Sequence, residues 1–336
     1  MVVAKCQLYG VKPIIKESVF DIVIDPTDVL GGFFQLHLRV GLRKGCSSYT
    51  IDWGDGVKVE SSSYDIRHNY TKSGTYTVRI GETARWWRLY EGYAVRSDGR
   101  AFSLCPTVHL KCWSDYLESV DGTFCGWNYP DDRGVVGSLI EWGKSIEKTF
   151  CCYQFLPNLT GSVPPWTEAI VDATGTYDEC SNLSGFLPSW GSNIEEVSQC
   201  FKGCSNIKGE FKPWPQKCKS LDKCFMNASS IRGVLPQWPK GVTSLVSVYE
   251  GCVNASGNIP EWPEVISSIS RCYYGCKGLT GAWTEEPELL MPESKMNDNW
   301  NYTEVVAEAS DSLRALFYDQ DWGGLKPHPS KSEGVK

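Results

Sequence analysis

Fifteen cysteines and four histidines are the side chains best equipped to bind a metal, attack a carbonyl or shuttle a proton in this 336-residue sequence. Their spacing argues against all three. His37, His68, His109 and His328 form no pair at the helical spacing of a metal site. No Gly-x-Ser-x-Gly elbow, phosphate loop or dinucleotide fingerprint occurs. Carboxylates are plentiful, but nothing in the sequence brings two together. Asp52 and Asp55 invite a calcium reading; flanking Gly54 they read better as turn formers that bond their own backbone. No catalytic residue, metal site or cofactor is expected, and the chain reads as a non-enzyme.

The elements that carry these residues repeat. Glycines stand at Gly137, Gly161, Gly185, Gly209, Gly233, Gly257 and Gly281, 24 residues apart. Five residues after the first six come Trp142, Trp166, Trp190, Trp214, Trp238 and Trp262. Two before each glycine is Val135, Leu159, Leu183, Ile207, Ile231, Ala255 or Leu279. Such a period predicts a solenoid whose units bury their apolar side only against each other. Counting from the glycine, position 2 is Leu139, Val163, Leu187, Phe211, Leu235 or Ile259, so each glycine is flanked by period-two apolar residues, as in a short strand. Proline at Pro164, Pro188, Pro236 and Pro260 then ends the strand. Positions 9, 12, 16 and 19, such as Ile194, Val197, Phe201 and Cys204, predict one face of a short helix.

Read by repeat position, the cysteines lose their chemical look. Position 15 is Cys152, Thr176, Cys200, Cys224, Val248, Cys272; position 19 is Leu156, Cys180, Cys204, Ala228, Cys252, Cys276. A disulfide or metal site needs its partner each time, whereas a small buried hydrophobe is exchangeable with Val, Ala, Leu or Thr. A reduced core ladder is expected, with Cys6 and the Cys151–Cys152 pair left open. The tryptophans either plug a corner of each coil or offer flat rings to a sugar. The corner reading is favoured, because every coil needs its corner closed and a glycan needs only two or three rings. Trp86, Trp87, Trp113 and Trp127 fall outside the ladder and are expected as a separate aromatic surface near residues 81–136. The sequons at Asn158, Asn182 and Asn254 share one repeat position, so the repeat explains them without glycosylation.

Two resemblances follow. "EVSQCFKGCSNIKG" (196–209) and "SISRCYYGCKGLTG" (268–281) resemble the aromatic-x-Gly-Cys-x-x-Leu core of BspA-like leucine-rich repeats, found in bacterial surface proteins and lipoproteins. "YTIDWGDG" (49–56), "HNY" (68–70) and "GTYTVRI" (74–80) are similar to the PKD domain, an Ig-like β-sandwich of extracellular modules. The resemblance implies an order known in bacterial and phage-encoded surface proteins. The fold expected is mainly β with short helices. It comprises an Ig/PKD-like sandwich (1–104), an irregular first coil (105–136) and a six-unit leucine-rich-repeat-like solenoid (137–281). A C-terminal cap (282–318) and a tail (319–336) complete it. In the first coil "SVDGTF" (119–124) echoes "SIEKTF" (145–150), which makes it two residues longer than the others. In the cap, Val306, Ala309, Leu313, Leu316 and Phe317 share one helical face, with Asn301 or Thr303 as N-cap.

Function is then sought on the outward strand positions, which vary over a constant frame: Ser162, Ser184, Phe186, Lys208, Glu210, Arg232, Val234 and Asn258. A recognition surface has this pattern; relaxed solvent exposure has it too. The expected partner is a cell-surface glycan or protein, with other virion or surface proteins as further contacts. The alternative is a structural virion or surface-layer component whose only contacts are those of self-assembly. A net charge of −7 without a dense basic block excludes a nucleic-acid partner. No apolar run reaches the length of a membrane span. The amino terminus shows neither the apolar core of a signal peptide nor a lipobox. An extracellular, cell-surface or virion location then implies a trimmed chain or another exit, such as assembly into a phage released by lysis.

Overall fold

The computed structural model describes residues 13–96, 98, 100–103, 106–125, 134–261, 263, 265–280 and 288–289. The expected C-terminal cap and tail, Trp127, Trp262, Gly281, Cys6 and His328 lie outside them. The described chain is mainly β, and its one helical element is a 3-10 turn at Pro26–Val29. In chain order the strands are β1 (Ser18–Ile24), β2 (Gly32–Leu42), β3 (Tyr49–Asp52), β4 (Lys58–Ser61), β5 (Asp65–Tyr70), β6 (Gly74–Ile80), β7 (Ala84–Arg96), β8 (Ala101–Ser103) and β9 (Thr107–Cys112). One sheet runs β9-β1-β6-β3-β4 and a second runs β5-β2-β7-β8. All pairings among these nine strands are antiparallel. Alternation puts Phe20, Ile22 and Ile24 of the first sheet and Phe34, Leu36 and Leu38 of the second into one core. Phe20 stacks on Trp87 across it, ring centroids 5.0 Å apart.

The first sheet continues into the repeats. β10 (Gly134–Val135) pairs parallel with β9, and from there the strands are short and parallel. β11 (Gly137–Ser138) pairs β12 (Leu159–Thr160). β13 (Gly209–Glu210), β14 (Ile231–Val234), β15 (Asn254–Asn258) and, past β16 (Val265–Ile266), β17 (Gly278–Thr280) form a second ladder; β16 pairs β18 (Glu288–Leu289). Leu159, Leu183, Ile207, Ile231, Ala255 and Leu279 are buried in every unit, as the period-two reading requires.

The expected short helix is absent. Positions 14 and 18 are left-handed in each coil: Cys151, Gln199, Lys223, Ser247 and Arg271 have φ of 50 to 59°, and Phe155, Glu179 and Asn227 of 60 to 61°. A right-handed helix cannot pass through such residues. The amides go elsewhere. Those of Thr149, Cys151, Tyr153 and Phe155 donate to the carbonyls of Asp172, Thr174, Thr176 and Asp178 on the next coil, at 2.9, 2.9, 3.0 and 2.8 Å. The amides between them turn back three residues, as Cys152 does to the Thr149 carbonyl at 3.0 Å. Every second peptide is thus a rung to the neighbouring coil, which satisfies the buried backbone without helix.

Two stacked aromatic columns fill the interior. Tyr153, Tyr177, Phe201, Phe225, Tyr249 and Tyr273 stack with centroids 5.5–6.0 Å apart and ring planes within 17°. The indoles of Trp113, Trp142, Trp166, Trp190, Trp214 and Trp238 stack beside them at 5.9–6.4 Å. Trp113 is therefore the first rung of the tryptophan ladder and not part of a separate surface; Trp87 is likewise in the core, with 1% of its surface exposed.

The first coil also differs from expectation. Ser119 bridges Lys148, 29 residues on, where later rungs such as Lys148 to Asp172 span 24. It is five residues longer than the rest, not two, and the echo between residues 119–124 and 145–150 is misaligned by three. The reason is packing. In the true register Phe124 stacks on buried Tyr153 at 5.8 Å; the echo would have set it against Phe150, which is 45% exposed.

Candidate functional site

The variable strand positions form one outward face. Position 1 of each coil lies beside the residue 22 further on, immediately before the next glycine. The rungs are Ser138/Thr160, Ser162/Ser184, Phe186/Lys208, Glu210/Arg232, Val234/Ser256 and Asn258/Thr280. All eight predicted residues are thus brought together in two adjacent lanes. At a strand spacing of about 4.8 Å, the three central rungs span roughly 10 Å. Phe186 is 75% exposed and Val234 65%. Lys208, Glu210 and Arg232 are exposed between them and have no ion-pair partner among the described residues. The centre of the face therefore offers two bare apolar side chains around a mixed-charge group, with the cations in one lane.

The frame that presents this face is set by the repeat glycines. Each of the six described ones has a positive φ, from 82° at Gly257 to 106° at Gly209, a region costly for other residues. Each also faces the position 1 side chain of the preceding coil. A Cβ on Gly209 would come within 3.3 Å of the Phe186 ring, and one on Gly257 within 3.1 Å of Val234. The side chains of the face lean over the next coil's bare backbone, which keeps the surface flat.

The tryptophan ladder does not join this surface. Trp142, Trp166 and Trp214 are buried at 3–7% exposure, and both faces of each interior indole are covered by its neighbours. The indole N–H groups of Trp113 and Trp214 lie beside the Tyr153 and Tyr249 hydroxyls without reaching hydrogen-bond geometry. The second aromatic column was not foreseen, although position 16 is Tyr or Phe in all six coils and carries the signal.

Most of the described cysteines and the Asp52–Asp55 turn have structural roles. The thirteen described cysteines are free thiols. Cys180, Cys204, Cys252 and Cys276 donate to the carbonyls of Tyr153, Tyr177, Phe225 and Tyr249 at 2.8–3.1 Å. Burial pushes the Cys204 and Cys252 thiols far up and Cys276 up to about 12, so these three are not poised as nucleophiles. Asp52 caps the Gly54 amide at 3.0 Å and pairs with Lys58 at 2.9 Å. Asp55 caps Val57 at 3.1 Å and bonds His68 at 2.7 Å. No group of three His, Cys, Asp or Glu able to hold a metal occurs among the described residues. Asn182 and Asn254 donate their side-chain amides to the Pro157 and Ser229 carbonyls of the preceding coil, both at 2.7 Å. The nitrogens that a glycan would occupy there hold the coils together instead.

No helix among the described residues is long and apolar enough to cross a membrane. No protein-family model matches this chain, nor does any curated protein or solved structure.

Proposed function

We propose that the chain is a non-enzymatic binding or adhesion protein of a bacterial surface or phage particle. Its strand face recognises a glycan or protein. In this reading residues 1–104 are a PKD/Ig-like sandwich serving as spacer or anchor. Residues 137–281 are a BspA-like leucine-rich-repeat solenoid, entered through an irregular coil. One observation carries the proposal: a buried frame repeated coil after coil presents a face whose exposed members differ on every rung, with Phe186 and Val234 bare to solvent at its centre. Aromatic residues and arginine are enriched at interfaces, and Phe186, Val234 and Arg232 stand together on three adjacent rungs.

The full chain, fluorescently labelled, is tested on intact bacterial cells and on a glycan array. Saturable binding that is competed by unlabelled protein supports recognition. Stable self-association or particle incorporation without saturable binding to either would instead assign the face to assembly.

A further inference from the structure

We propose that a cleft where β7 meets the first coils is a second binding site, for a neutral oligosaccharide. The cleft holds about 320 Å³ and is lined by Tyr64, Arg85 and Trp86 from the N-terminal half and by Glu118, Glu147 and Lys148 from the coils. Its size is at the small end of ligand sites, matching one or two pyranose rings.

Trp86 is the anchor. It is adjacent to Trp87 on one strand, so the two indoles point to opposite faces of the sheet. Trp87 fills the core, while Trp86 is half-buried on the outside and has no rung in either aromatic column. Its seat is built. Trp86 pairs with Gly41 on β2, and a Cβ there would fall 2.2 Å from the indole nitrogen and 2.3 Å from the adjoining ring carbon. The indole lies flat on the bare backbone of that glycine. Tyr64, 53% exposed, meets it edge-on at 5.6 Å and 72°. One indole face is thus spent on the sheet, and the half-buried ring lines the cleft together with Tyr64. A flat apolar ring framed by hydrogen-bonding groups suits the C–H face and the hydroxyl rim of a pyranose.

Charge selects the class. Arg85 is held by Glu118 at 2.7 Å. Arg88, at the rear of the cleft, spends its guanidinium on the Asp121 carbonyl at 2.9 and 2.6 Å. Lys148 stands next to Glu147 in sequence, so the lining carries equal numbers of acids and bases. No uncommitted cation cluster is present for a phosphate or a uronic acid, whereas carboxylate and guanidinium together serve hydroxyls as acceptor and donor. The site is distant in sequence from the strand-face centre and does not depend on that reading.

The test is calorimetric titration of the full chain with cellotetraose, chitotetraose and maltotetraose, and with tetragalacturonate as the acidic counterpart. At least one neutral tetrasaccharide is expected to bind saturably in the millimolar range or tighter. Trp86→Ala should weaken it by roughly tenfold or more, and Glu147→Gln, an exposed change that leaves packing untouched, should weaken it measurably. The Lys208→Ala/Glu210→Ala/Arg232→Ala variant should bind it as wild type does. Failure of all three neutral sugars, affinity unmoved by both cleft variants, or binding of tetragalacturonate alone overturns the assignment.

Discussion

Gly185 and Gly233 occupy the same place in two coils, and replacing each by Ala separates the two reasons for a glycine there. Both have positive φ, 85° and 99°. Forcing an L-residue into that region costs about 1–2 kcal/mol, of which a less flexible unfolded chain adds back another 0.4–1 kcal/mol or so. At Gly233 the added Cβ meets nothing closer than the Glu210 Cγ at 3.5 Å, so the conformational term stands alone. At Gly185 it would lie 2.2 Å from the Ser162 Oγ, 2.8 Å from its Cβ and 3.2 Å from its Cα. The hydroxyl can rotate away; the Cβ and Cα cannot, so two coils must part. Overpacking of that kind adds about 1–3 kcal/mol. Gly185→Ala should therefore cost about 2–4 kcal/mol and Gly233→Ala about 1 kcal/mol, read from urea unfolding followed by tryptophan fluorescence. Ser162→Gly in the Gly185→Ala background should recover the steric part and leave the rest. Equal costs at the two sites within about 0.5 kcal/mol, or no rescue by Ser162→Gly, would refute the close approach as the reason for the repeat glycine.

Trp214 is sandwiched between Trp190 at 5.9 Å and Trp238 at 6.4 Å and packs on Phe225; Trp214→Ala should cost about 3–5 kcal/mol in the same assay, and a loss under about 1 kcal/mol would remove the ladder from the core. Among the described cysteines, a thiol reagent at mildly alkaline pH should reach only Cys46, Cys112, Cys125 and Cys151 in the native protein, the four that are not buried, and Cys151 slowly, because burial pushes its thiol up to about 12. Denaturant should then release the others as free thiols, and a largely oxidised protein would contradict the core ladder. Asp115 ties Ile15 to the second coil, accepting from the Ile15 and Lys144 amides at 3.0 and 3.1 Å and pairing with the Lys144 ammonium at 3.2 Å. Burial pushes its carboxyl up, but these partners outweigh burial and hold it below the usual range. With its folded pKa depressed, its contribution is fully present above the unfolded value of about 3.9 and is lost as pH falls through the folded value. The drop in melting temperature from about pH 5 to about pH 3 should shrink in Asp115→Asn, and an identical drop would remove Asp115 from the acid response.

Much of the frame was readable because it is written six times. The glycine interval, the aliphatic residues on either side of it and the exchange of Cys for Val or Thr at one position and for Ala or Leu at another all follow from a core that each coil must fill alike. The turn half was misread because left-handed turns recurring every four residues place apolar side chains at nearly the spacing of a helix. The usual warning is missing: position 14 is Cys151, Gln199, Lys223 or Arg271 more often than glycine. What holds those residues left-handed is a hydrogen bond from the amide N–H to a carbonyl 23 residues away, as from Cys151 to Thr174, which no local pattern records. Trp113 escaped the ladder for a related reason, since five extra residues in the first coil break the interval that identifies the other indoles. The outward residues were legible as outward by simple alternation, but their pairing in rungs 22 apart belongs to the stagger of the strands.

The central claim is that the strand face, and not the indole ladder, makes the contact with a target. Binding to intact cells by the Phe186→Ala/Lys208→Ala/Arg232→Ala variant, set beside wild type and beside each protein's melting curve, tests it most directly. The three side chains are exposed, and surface changes usually stay within about 0.5 kcal/mol each. The account predicts a melting temperature close to that of wild type together with at least a roughly tenfold loss of cell binding. Wild-type binding by a folded variant would contradict it, as would loss of the fold itself, which would mean that the face is part of the frame.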